Sequence, residues 1–223
     1  MKIVAVSYYK FDEDYLEDYK KNLSSLVDDF LLIEDKDGGF MYDEGKYRKR
    51  LIDGAKEMGA DWVVVLDPDE RLEKNAARKI KKMINKYHGK KVMFQLNFKE
   101  LYLPRMYRID GIWGKKNRIP IFPLLNDNVY SDKKIHTPKY PINKGYRIIK
   151  ADINIYHLKH IKPELRKQRK DLYNKLDPNH KYQRIGYDYI DNEDGAKFAK
   201  IMPWRMYKPK YRDYKIDKGV FEI

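Results

Sequence analysis

Two carboxylates separated by one residue, Asp67 and Asp69, follow directly on the apolar run WVVVL at 62–66, and Pro68 stiffens the turn between them. Carboxylates placed this way leave a buried strand pointing in one direction and can share a single hard cation. Oxygen-only ligation suits Mg²⁺ or Mn²⁺, which complete their coordination with water and substrate phosphates. The competing reading of Asp67-Pro68-Asp69-Glu70 is a turn of solvated acids that ends a strand. The sequence has no cysteine, which excludes disulfides, thiolate metal sites and a thiol nucleophile. Chemistry therefore falls to carboxylates, the five histidines, hydroxyls and bound ions.

The elements that must position these carboxylates are legible in the spacing of apolar residues. The run KIVAVSY at 2–8 fits a buried parallel strand. From Asp12 to Val27, Tyr15, Leu16, Tyr19, Leu23, Leu26 and Val27 recur at helical spacing behind an acidic first turn. A second strand from Phe30 to Ile33 stops at the acidic loop Glu34-Asp35-Lys36-Asp37-Gly38-Gly39. A helix from Tyr42 to Met58 is closed by Gly59, and the run at 62–66 is the central strand. A helix from Ala76 to Tyr87 and a strand from Val92 to Phe98 continue the alternation. This pattern predicts an open α/β sheet, mostly parallel and flanked by helices, with ligands gathering at the carboxyl ends of the strands where both acidic clusters sit. Between Leu101 and Tyr146, Pro and Gly break the pattern into expected loops and short strands. Pro163 opens a helix that runs to Leu176 and is ended by Asp177-Pro178.

The longer run RLIDGAKEMGADWVVVLDPDERL, a helix before a hydrophobic strand that ends in Asp-x-Asp, resembles the family 2 glycosyltransferases with a GT-A fold. The resemblance extends to KIVAVSYYK and to Glu34 and Asp35, and it covers residues 1–75. It implies a metal-dependent transferase using a nucleotide diphosphate sugar, with a UDP-sugar first. It implies further that Ser7 and Tyr8 face the uracil, that Glu34 or Asp35 meets the base or ribose, and that Asp67 and Asp69 hold Mn²⁺ or Mg²⁺ and the diphosphate. Arg48 and Arg50 either reach phosphate from the preceding helix or lie on its solvated face. RMYRIDG, KKIHTPKYP and INIYHLKHI look like the Arg- and His-containing segments of relatives, which implies that His136 lines the site and that His157 approaches the metal or the diphosphate.

One position departs from that pattern: relatives often carry an acid directly after the first of these histidines, where this chain has Thr137. An inverting transfer needs a general base. Of Glu100, Asp110, Asp127 and Asp132, the sequence ranks Asp110 first because it lies beside Arg105 and Arg108.

Charge bears on the acceptor. The 223 residues carry a net +14, yet residues 1–70 hold 10 Lys and Arg against 18 Asp and Glu, so the remainder carries +22. This asymmetry suggests cation or sugar handling in the first part and polyanion contact in the second. The expected organisation is a nucleotide-sugar and acceptor unit over 1–160 and a basic, Tyr-rich extension over 161–223. In the extension, Lys181–Ile190 and Trp204–Tyr214 interleave aromatics with cations, either as stacking platforms or as Tyr packing with snorkelling Lys. No apolar run reaches the ~18 residues of a membrane span, and the N-terminus turns polar too early for a secretory signal, so a soluble cytoplasmic protein is expected. The first acceptor is a modified base in DNA, followed by a protein or cell-wall polymer. The rivals are a non-catalytic nucleic-acid-binding module and a nucleotidyltransferase.

Overall fold

The sheet is organised around its first strand. β1 (Ile3–Tyr9) presents apolar side chains to both faces, and residues 3–8 are all buried. It pairs in parallel with β2 (Asp29–Glu34) on one side and β3 (Trp62–Val65) on the other. Because successive side chains alternate, Ile3, Ala5, Trp62 and Val64 face one way and meet Tyr19 and Leu23 of α1 (Glu13–Leu23) with Ile80 and Ile84 of α3 (Ala76–Lys86). Val4, Val6, Val63 and Val65 face the other way, against Leu51, Ile52 and Ala55 of α2 (Glu44–Glu57). The computed structural model describes residues 1–10, 13–36 and 38–215; Asp12 and Asp37, counted above in the first helix and the acidic loop, lie outside them.

Helix ends follow the local chemistry. The Asp43 carboxylate caps α2 by accepting from the Lys46 N–H at 3.1 Å, and Gly59, two residues past the helix, takes the left-handed conformation at φ 72°. α4 (Pro163–Leu176) has its proline in the first turn and stops at Asp177, as expected from Asp-Pro.

The remaining strands are β4 (Glu70–Leu72), β5 (Val92–Leu103), β6 (Met106–Arg108), β7 (Asn117–Pro123), β8 (Arg147–His157) and β9 (Phe198–Lys200). The path runs β2-β1-β3-β7-β5-β6-β9, and β8 pairs with both β4 and β5. The sheet is open and helix-flanked as expected, but mixed. It is parallel at β1–β2, β1–β3 and β5–β8 and antiparallel in its other pairings. The difference comes from RIPIFP, which the proline pattern assigns to loops and short strands and which forms β7, inserted antiparallel between β3 and β5. A central strand tolerates Pro120 here because that residue falls where the β5–β7 register shifts, between the pairs Phe94–Ile121 and Leu96–Arg118.

Beyond residue 161 the chain rejoins the sheet through β9, which pairs antiparallel with β6. Its last described stretch is a strap of buried tyrosines. Tyr207 packs 5.4 Å from Tyr156, and Tyr214 stacks on Tyr15 at 4.0 Å with its hydroxyl 3.0 Å from Asp18. Arg205 is taken up by Glu73 at 2.7 Å and Asp152 at 2.9 Å, and Arg212 by Asp18 at 3.0 Å. Of the two readings of Trp204–Tyr214, packing accounts for Tyr207, Tyr214 and both arginines. Among the described residues, no helix is long and apolar enough to cross a membrane.

If the strap holds the fold together, Tyr214→Ala should destabilise the chain by about 3–5 kcal/mol, the range for deleting a large buried aromatic. Tyr214→Phe, which removes only the hydroxyl bonded to Asp18, should cost about 1 kcal/mol. Urea denaturation of both variants checks the ratio; equal losses would show that the hydrogen bond, not the stacking, anchors the strap.

Candidate active site

The loop after β3 is fixed from within. The Glu70 N–H donates to the Asp67 carbonyl and the Asp67 N–H donates back to Glu70 Oε2, both at 2.9 Å. Arg71, fully buried, donates to the carbonyls of Pro68, Glu70 and Tyr15. The carboxylates of Asp67 and Asp69 are thus held on a rigid turn.

Strand register then determines their neighbours. β4 pairs with β8 so that Glu70 stands opposite His157, and β8 pairs with β5 so that His157 stands beside Glu100. The result is a buried line of three groups: His157 Nε2 lies 3.1 Å from Asp69 Oδ2, and its Nδ1 lies 2.5 Å from Glu100 Oε2. His160, on the turn after β8, brings Nδ1 to 3.5 Å from Glu100 Oε2 and packs edge-on to Trp113 and Tyr102.

Cations from the second half of the chain surround these acids. Lys139 lies 2.7 Å from Asp67 and 3.6 Å from Glu70, Lys159 lies 3.8 Å from Asp69, and Lys116 lies 2.9 Å from Glu100. The loop bearing Lys139 reaches Asp67 because it packs on the start of α2. Its Lys134 and Lys133 carbonyls accept from the Glu44 and Gly45 N–H groups, and Glu44 Oε2 accepts from the Thr137 N–H at 3.0 Å. Only glycine fits at 45, since a Cβ there would stand 2.9 Å from Asp132 and Lys133 backbone atoms.

Burial opposes ionisation of every acid here, and the neighbours decide which ionise. Against burial, His157 and Lys159 hold Asp69 well below the usual carboxylate range. Lys139 and Arg48 hold Asp67 below it, and Lys116 and His157 hold Glu100 far below it. Glu70 goes the other way, pushed up by burial with the charge of Asp67 adding to it. Burial alone would push His157 down, but Glu100 and Asp69 reverse this and carry it up to about 9. Burial leaves His160 well below its ordinary value. The metal-free arrangement is an imidazolium between two carboxylates.

This donor set fits a divalent ion. Two ligands at right angles, each about 2.1 Å from an ion, stand about 3.0 Å apart, close to the 3.1 Å between Asp69 Oδ2 and His157 Nε2. Glu100 on the other ring nitrogen is the outer partner that fixes a ligating imidazole. Asp67 is engaged by Lys139 instead. Among the described residues, Glu100, His157 and His160 form a further cluster able to hold an ion, on the Nδ1 side of His157, where Glu100 Oε2 faces both rings while Lys116 takes Oε1.

At the carboxyl ends of β1 and β2, Tyr8 packs against Phe40 at 5.6 Å and Tyr47 at 5.2 Å, and the Arg48 guanidinium lies 5.0 Å over Phe40. Arg48 also pairs with Glu44 at 3.5 Å. Burial raises the Tyr8 phenol and the charge of Arg50, itself exposed, opposes the rise. Ser7 is buried and donates to the Tyr8 carbonyl at 3.1 Å. Asp35 is buried and accepts from the Phe40 N–H at 3.2 Å, whereas Glu34 is exposed beside Lys36.

The structure therefore brings Asp67, Asp69 and His157 together and groups Ser7, Tyr8, Asp35 and Arg50 at the neighbouring strand ends. Asp110 stands elsewhere, at the β6–β9 edge. Arg108 holds its carboxylate through Nε and Nη2, both at 2.9 Å, the Lys197 N–H adds a third bond at 2.9 Å, and together these bring it down to about 2. His136 hydrogen-bonds to the Tyr187 hydroxyl at 3.0 Å and packs on Tyr173 of α4. Glu100 and Lys139 are functional candidates that the ranking by sequence passes over. For Glu100 a signal exists, an acid on the buried face of an apolar strand; for Lys139 there is none.

No protein-family profile matches the sequence, and no curated protein matches it. Among solved structures the chain is similar to TarS of S. aureus, with TM-score 0.48 and 10% identity over 83% of this chain and 44% of that one. A structure of TarS 1–349 gives TM-score 0.44 and 14% identity over 86% and 70% of the two chains. The same TarS segment in complex with UDP-GlcNAc gives 0.37 and 13% over 86% and 71%. The chain thus spans less than half the length of the first of these structures.

Proposed function

We propose that the chain is a metal-dependent glycosyltransferase that moves a sugar from a nucleotide diphosphate donor, first a UDP-sugar, to a polyanionic acceptor, first a modified base in DNA. The observation that carries the transferase reading is the pairing of Asp69 with His157 at 3.1 Å, its imidazole fixed by Glu100, on the loop that leaves a parallel strand. Mn²⁺ bound by Asp69 and His157 would stabilise the negative charge of a departing nucleoside diphosphate. Lys139 and Lys159 add fixed positive charge beside those acids. Tyr8, buried against Phe40 and Tyr47, stands with Ser7 and Asp35 at the strand ends where the base would sit, and Arg48 and Arg50 bring charge for phosphate. The polyanionic acceptor is supported by the +22 charge of the chain beyond Glu70.

Calorimetry of UDP with Mn²⁺ tests the donor site. Wild-type protein should bind UDP only with the metal, and Asp69→Asn should lose that binding while its melting curve stays cooperative. Because His157 is protonated up to about 9 without metal and an ion takes the neutral imidazole, Mn²⁺ binding should release a proton and tighten as pH rises toward 9. Binding unaffected by Asp69→Asn would remove the metal from this site, and absence of UDP binding altogether would favour a non-catalytic module.

For the base, Asp110→Asn separates two roles. A general base gives a loss of roughly 10²–10⁴ in turnover with donor binding intact. Turnover near that of the wild type is the outcome the Arg108 pairing favours, and it would make Asp110 a tie between β6 and β9. For the acceptor, incubation with donor, Mn²⁺ and either hydroxymethylated DNA or a protein mixture, read by mass spectrometry, should show the sugar on DNA. Sugar found only on protein would end the nucleic-acid reading.

A further inference from the structure

Where β4 gives way to α3, the surface opens into a groove of 590 Å³ floored by Leu72 and Glu73. Lys21, Lys74, Arg78, Lys81, Lys82 and Lys208 line it, and Glu73 is its single acid. That acid does not offset the cations around it. It is buried, with one carboxylate oxygen 2.7 Å from Arg205 and the other 3.3 Å from Lys79. Lys21 is paired with Glu17. The other five cations are exposed and, among the described residues, have no carboxylate partner.

We infer that this groove binds a linear chain of phosphates. Arg78 stands at i,i+3 and i,i+4 to Lys81 and Lys82, so the three charges share one face of α3. Their mutual repulsion is relieved when anions lie among them. Lys74 and Lys208 bring charge from two other segments, one before α3 and one in the C-terminal strap, so the positive field is concave, not confined to a helix surface. The concavity has the volume of a pocket for a single chain. Among the described residues no aromatic side chain lines it, so they offer no stacking platform and recognise backbone charge without reading bases. Inorganic polyphosphate and the backbone of a single-stranded nucleic acid share that chemistry. The inference stands on the groove alone and does not depend on the sugar-transfer reading.

The test uses the full chain with fluorescently labelled polyphosphate and, separately, a labelled oligothymidylate, followed by anisotropy across a salt series. The logarithm of affinity should fall with log salt at about −0.7 for each phosphate neutralised on a single strand, so three to four contacts give a slope of about −2 to −3. A variant combining Lys74→Gln, Arg78→Gln, Lys81→Gln and Lys82→Gln should lose at least about tenfold in affinity at low salt and most of that slope. All four residues are exposed, and an unchanged melting curve confirms the fold; Lys81→Gln with Lys82→Gln alone provides a milder variant with a proportionate loss. The control neutralises four exposed cations elsewhere, Lys46, Lys56, Lys144 and Lys150. Groove-dependent binding of either chain supports the inference, and which chain binds identifies the source of the phosphates. An equal loss in the control would show diffuse attraction to a +14 protein and overturn the inference, as would an unaffected groove variant. Heparin binding as tightly with the same dependence would overturn the assignment to phosphate.

Discussion

Three buried ionised groups, Asp69 on the turn before β4, His157 on β8 and Glu100 on β5, constrain this molecule more than any other interaction. Removing charges from water is costly, and losing one partner of such a set leaves an uncompensated buried charge at a penalty of about 3–5 kcal/mol. The arrangement persists only if β4, β8 and β5 keep their registers to the residue, because a slip of one would turn His157 to the opposite face. The mixed topology serves this need. β8 must run antiparallel to β4 to bring His157 opposite Glu70, and parallel to β5 to set it beside Glu100.

The same constraint changes the meaning of the charge asymmetry. Read as a string, the chain divides into an acidic front and a basic remainder, as if each had its own task. In the fold, cations of the remainder reach acids of the front. Lys139 pairs with Asp67, Lys159 and His157 approach Asp69, and Arg212 bonds to Asp18 across the surface of α1. Arg205 likewise meets Glu73 just past the cut. The two parts meet in one electrostatic structure at these acids, and the cations of α3 that line the groove lie outside that compensation.

How much of this was legible follows from the range over which each feature is determined. β1, β3, α2 and α4 are set by local periodicity and by residues such as Gly59 and Pro163, and the sequence reading places them to within a few residues. The Asp67 and Asp69 turn is equally local. β7 is hidden because Pro120 and Pro123 argue against a central strand, and only the register shift opposite Phe94 and Leu96 explains how the sheet admits them. The pairing of Glu100 with His157 joins residues 57 apart across a strand pair whose register itself shifts between Gln95 and Asn97, so no local pattern encodes it.

Asp110 shows what a neighbouring arginine does to a candidate catalytic acid. Neighbouring arginines look like a site's cationic wall, but a guanidinium at the end of β6 is within reach of a carboxylate in the bend that follows and can take it itself. Arg108 does so with two nitrogens. A carboxylate satisfied by three donors and brought down to about 2 is a weak proton acceptor near neutral pH. Glu70, one residue beyond Asp69, has the opposite character: burial raises it, against the charges of Lys139, which is shared with Asp67, and of His157. Environment, more than position beside an arginine, sets the opposite directions of these two carboxyl groups.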